Sequence, residues 1–105
     1  MLTLTDAQRE TSMKSSIEQA IQRVAEKPGA PEVLIKDWYF NDAEPELSVL
    51  VAGKRRILEV QQEFLKDEPD EDALRKVATA AKALMKSDIG RVKLYHQGVF
   101  GVWDH

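Results

Sequence analysis

Apolar positions recur along this chain with different spacings, and each spacing predicts a different kind of element. Met13, Ile17, Ala20, Ile21 and Val24 come at steps of three and four. That period lays them on one stripe of a helix, opposite Lys14, Glu18, Gln22 and Glu26. Thr5 or Asp6 supplies the cap and Pro28-Gly29 the stop, so a helix is expected over about 6–27. The next run, Glu32 to Phe40, is short, β-branched and aromatic, and is framed by Pro31 and by Asn41-Asp42, which predicts a strand. Alternation puts Val33, Ile35 and Tyr39 on one face and Leu34, Trp38 and Phe40 on the other, so cover on both faces is expected.

Two readings compete over residues 43–66. As a helix, the stretch has Asp42 as cap, Pro45 in the first turn, and Leu47, Leu50, Val51, Ile57, Leu58, Phe64 and Leu65 on one side. As a hairpin, Leu47, Val49 and Val51 alternate, Ala52-Gly53-Lys54-Arg55 turns, and Arg56 to Val60 returns. The helix is preferred, bent near Gly53. After the break at Asp67-Glu68-Pro69-Asp70, the small stripe Ala73, Val77, Ala80, Ala81 and Leu84 predicts a helix over about 70–87 that packs closely. Its acidic start, Asp70 to Asp72, suits the electropositive end of a helix without any ligand. The C-terminus reads as a hairpin: residues 91–95 alternate, Gln97-Gly98 turns, and Val99 to Trp103 returns. A two-residue loop there sets Arg91 opposite Asp104 and Tyr95 opposite Phe100.

The expected fold class is therefore α+β. Three helices pack on one face of a three-stranded antiparallel sheet, in the order α-β-α-α-β-β, with the C-terminal hairpin pairing to the 33–40 strand. The hairpin reading of 43–66 changes that order to α-β-β-β-α-β-β.

Composition narrows the class. The chain has 105 residues, enough for a single domain, 1–105, with one core. Its 43% hydrophobic and 31% charged residues suit a folded soluble domain. Cysteine is absent, which removes disulfides, thiolate metal sites and cysteine nucleophiles and suits a cytoplasmic protein. No apolar targeting core follows Met1, and the longest apolar run, residues 49–53, is far too short to span a membrane. A net charge of −3 disfavours general nucleic-acid binding, yet residues 73–105 carry six cations against two acids.

Chemistry is sparse. His96 sits at the expected hairpin tip and has no ligand-spaced partner, while Trp103-Asp104-His105 lies at the chain's end. Asp37, Asp42 and Glu44 border a turn, where such residues are common for conformational reasons. Ala52-Gly53-Lys54-Arg55-Arg56 has a glycine beside three cations but lacks the second glycine and the hydroxyl of a phosphate loop. No catalytic residue, cofactor or metal site is assigned, and an enzyme is not expected. The aromatic set is the best candidate: Trp38, Tyr39 and Phe40, with Trp103, would anchor another protein if one strand cannot bury them all. A small protein-binding or regulatory module, such as an adaptor, an inhibitor or immunity protein, or a chaperone-like protein, is the first expectation.

The preferred element order resembles that of winged-helix domains. This resemblance implies nucleic-acid binding, with Arg75, Lys76, Lys82 and Lys86 on the recognition helix and His96-Gln97-Gly98 at the wing tip. Lys54, Arg55 and Arg56 would add to that basic surface. Asp70, Glu71 and Asp72 at the helix N-terminus make it the second expectation. The hairpin order is instead similar to the layouts of double-stranded-RNA-binding domains and secretion chaperones.

Overall fold

The computed structural model describes residues 5–40, 44–86 and 89–103, with the backbone alone for Asp6 and Trp103. The elements are α1 (Asp6–Ala25), β1 (Val33–Phe40), β2 (Pro45–Val51), β3 (Lys54–Val60), α2 (Gln62–Leu65), α3 (Glu71–Leu84), β4 (Ile89–Tyr95) and β5 (Gly98–Trp103). All five strands form one sheet in chain order. Neighbouring strands are antiparallel except β3 and β4, which run parallel after the chain crosses over through α2 and α3.

Local chemistry accounts for both long helices. Thr5 and Gln8 form a reciprocal capping box at the start of α1. Asp70 caps α3 by accepting from the Ala73 N–H at 2.8 Å, with Glu71 and Asp72 in the first turn beside the positive end of the helix dipole. The expected stripes face inward. Met13, Ile17 and Ile21 of α1, and Ala73, Val77, Ala80, Ala81 and Leu84 of α3, are buried against Leu47, Val49, Val51, Leu58, Val60, Val92 and Leu94 of the sheet.

The α+β class and the packing of helices on one sheet face stand. The sheet itself corrects the expectation: it has five strands and is mixed, not three and antiparallel. Residues 45–51 and 54–60 are strands rather than a bent helix, because alternation buries Leu47, Val49 and Val51 with Arg56, Leu58 and Val60 on a single face. The element order is thus that of the hairpin alternative with the one-turn α2 added. Nor does the C-terminal hairpin pair with β1, which is the far edge strand.

Two turns explain the local registers. Ala52 and Gly53 both take positive φ, 52° and 78°, so the β2–β3 connection is a two-residue turn whose twist matches its strands. At the other hairpin the loop is His96-Gln97, one residue earlier than expected, and Gly98 takes the positive φ of 145°. Tyr95 therefore faces Gly98, and Arg91 faces Val102. The expected partner Asp104 lies outside the described residues, as do Asp42 and His105.

Candidate functional site

The expected aromatic anchors are not gathered in one place. A register shift between Ile35 and Trp38 turns Trp38 toward the helices, opposite the buried Leu47, where alternation alone would face it outward. There its indole N–H donates to Glu18 of α1 at 3.2 Å, and the Lys14 ammonium sits 5.2 Å from its ring. Phe40 stays 65% exposed with the same ammonium 4.7 Å away, and Tyr39 stands half-exposed on the opposite face. Trp103 belongs to β5, the other edge of the sheet, with three strands between it and β1. Helices cover one face of β1, so the expectation of cover on both is corrected.

The expected basic residues divide by environment. Arg56 is buried on β3 and donates to the carbonyls of Leu84 and Lys86. It closes the end of α3, where backbone carbonyls otherwise lack partners and the helix dipole is negative. Arg75 pairs with Glu71 and Asp72, while Lys76 pairs with Asp72 and donates to the His96 carbonyl at 2.9 Å. Lys54 and Arg55 begin β3 beside the β2–β3 turn. Lys82 and Lys86 remain exposed along the C-terminal part of α3 and just beyond it.

Lys82 belongs to a concavity between the two long helices. Ser16, Ala20, Arg23, Val24 and Lys27 of α1 and its following turn meet Leu74, Val77, Ala78 and Lys82 of α3 around a groove of about 290 Å³. The buried Val77 and the half-buried Ala20, Val24 and Ala78 make the floor, and Leu74 is 43% exposed at the rim. Among the described residues, three cations line this groove and no carboxylate does. None of the three forms an ion pair among the described residues. A second concavity, on the other side of α3, shares Lys82 and adds Lys86. Of these cations, Lys82 is among the residues expected from sequence, and Arg23 and Lys27 are not. Their signal was available: Arg23 and Lys27 each come three residues after a stripe residue of α1, Ala20 and Val24.

A second surface is the sheet face that no helix covers among the described residues. Across it runs one continuous row from strand to strand: Tyr39, Glu46, Glu59, Lys93 and Phe100. The adjacent row is Ser48, Ile57, Arg91 and Val102. Arg91 donates to Glu46 and, at 3.0 Å, to Glu59, while the Tyr95 hydroxyl donates to the other oxygen of Glu59. The hydrogen bond to Glu46 leads the effects that raise the guanidinium pKa above its ordinary value. Tyr95 is pushed up to about 12, chiefly by its bond to the Glu59 carboxylate and then by burial. Four of the exposed large apolar side chains, Leu34, Tyr39, Phe100 and Val102, stand on this face.

His96 is held more firmly than a hairpin tip suggests. Its ring pairs with Asp67 and lies 5.7 Å from that of Phe64, and its N–H donates to Gln61 at 2.8 Å. These contacts fasten the β4–β5 turn to α2 and the segment after it. Among the described residues no cluster of three or more His, Asp or Glu is arranged to hold a metal, and no helix is long and apolar enough to cross a membrane. Compared with protein-family models, curated proteins and solved structures, the chain matches none of them.

Proposed function

We propose that the protein is a non-catalytic protein-binding module whose groove between α1 and α3 receives an acidic, amphipathic segment of another protein. One observation carries this: an apolar floor bordered by Arg23, Lys27 and Lys82, with no carboxylate in the lining among the described residues. Apolar side chains of a partner would bury against Val24, Leu74 and Val77, and its carboxylates would meet unpaired cations at the rim. That is the helix-in-groove mode of recognition, with charge selecting the partner. Adaptor, inhibitor and chaperone-like roles all use such a surface.

Nucleic-acid binding is the second reading, and the gathering of cations at one end of the molecule favours it. Arg56 ties the start of β3 to the end of α3, so Lys54 and Arg55 share that end with Lys82 and Lys86. It stands second because Arg56 is buried, Arg75 and Lys76 are ion-paired, and the groove floor offers apolar contact rather than phosphate donors.

A photo-reactive residue in place of Leu74 in the native host separates the two. The expected result is a cross-link to an acidic, amphipathic protein segment, lost when Arg23 and Lys82 are both changed to glutamate. A cross-link to nucleic acid, or to a basic segment indifferent to those changes, overturns the proposal.

A further inference from the structure

The uncovered sheet face carries a pattern that matches itself. We infer that two copies of this chain associate face to face through this surface, independently of the α1–α3 groove. The central row reads Tyr39, Glu46, Glu59, Lys93, Phe100 from edge to edge, one residue per strand. A two-fold axis parallel to the strands and passing over β3 lays β1 on β5 of the second copy and β2 on its β4. Tyr39 then meets Phe100, Glu46 meets Lys93, and Ile57 in the next row meets its own equivalent. The same operation repeats every contact, as an isologous interface requires.

Each half of that pattern is suited to its place. Tyr39 is 47% and Phe100 49% exposed, so both rings keep apolar area free to bury. Aromatic side chains are the residues that most often anchor interfaces. Lys93 forms no ion pair among the described residues, which leaves its charge available to the second copy. Glu59 is the one acid that meets itself. It is already engaged by Arg91 and Tyr95, so its charge is largely answered before the copies meet. Stacking this face against an unlike protein would require that protein to supply the same alternation of aromatic and charge.

Footprint sets the strength. Five strands at about 4.8 Å by six residues at about 3.3 Å cover on the order of 500 Å² on each copy. That is below the roughly 800 Å² per partner of a standard interface, which places the dimer among the weak ones.

Equilibrium sedimentation of the full chain over a range of concentrations tests this. The expected result is a monomer–dimer equilibrium whose dissociation constant rises about tenfold or more in Lys93→Glu and, separately, in Phe100→Glu. Circular dichroism of the two variants confirms that each remains folded. A monomer at all concentrations up to roughly 1 mM overturns the inference, since that limit exceeds any specific interface of this size. So does a dimer that survives both substitutions, or one that is lost in Leu74→Glu and kept in the two sheet variants.

Discussion

Glu46 on β2 and Glu59 on β3 stand directly opposite each other on the uncovered face of the sheet, and Arg91 on β4 reaches both. Like charges facing across neighbouring strands destabilise a sheet. Here the third strand supplies the remedy, and the parallel register that sets Arg91 beside Ile57 puts its guanidinium within range of both acids.

Replacing Arg91 with methionine should therefore cost about 2 kcal/mol, less than a fully buried pair because the guanidinium is partly solvated. Adding Glu46→Gln to that variant should recover about half of the loss, since it removes the repulsion that the first change exposes. Urea unfolding of the two variants measures both effects. Equal stability of wild type and Arg91→Met contradicts the role assigned to the trio.

Tyr95 gives this network a pH signature. Its phenol is raised from about 10 in the unfolded chain to about 12 in the folded one. The folded state thus favours the protonated form, and the unfolded chain loses that proton first as pH rises. The contribution is whole below about pH 10 and is lost as pH climbs toward 12. In Tyr39→Phe, where Tyr95 is the remaining tyrosine, phenolate absorbance should titrate near 12 when folded and near 10 in denaturant. Coincident titrations contradict the hydrogen bond to Glu59.

The β2–β3 turn holds a non-glycine residue, Ala52, at φ 52°. An L-residue with a Cβ is strained there, whereas asparagine tolerates that region and completes the Asn-Gly pair that such turns favour. Ala52→Asn should stabilise the protein by about 0.5–1 kcal/mol, read as a shift of the urea midpoint at constant slope. A loss of stability would show that the turn is not of this kind.

That same alanine explains much of what was hard to read. The helices α1 and α3 were legible because capping residues and a 3.6-residue apolar period agree at both. Between them the hairpin of β2 and β3 was hidden. Ala52 stands where asparagine would mark the turn, and Leu50 and Ile57 put apolar residues on the outer face, filling in a false helical stripe. Trp38 was assigned to the wrong face because the irregularity between Ile35 and Trp38 resets the alternation. The parallel pairing of β3 with β4 spans some thirty-four residues, and nothing local announces it. The candidate groove was half legible: the apolar stripes of its two walls were read, but that they meet, and leave cations around the gap, depends on how the helices pack.

Arg56 and Lys82 contrast a buried structural cation with an exposed cation of the proposed groove. Substitution of Arg56 by methionine leaves the carbonyl of Leu84, in a buried setting, and that of Lys86, in a part-buried one, without their donor, at a cost of about 2 kcal/mol. Lys82→Met, on the exposed side of α3, should change stability by less than about 0.5 kcal/mol. Thermal unfolding of both variants checks the contrast, and similar effects at the two positions would contradict it.

Titration of isotope-labelled protein with a short synthetic helix, leucine on one face and glutamate on the other, addresses the groove itself. Amide shifts should move along Ser16 to Lys27 and Leu74 to Lys82, saturate, and weaken as salt is added. No shifts in these two segments, or equal shifts with a leucine–lysine helix, would contradict the proposal that this groove receives acidic, amphipathic segments.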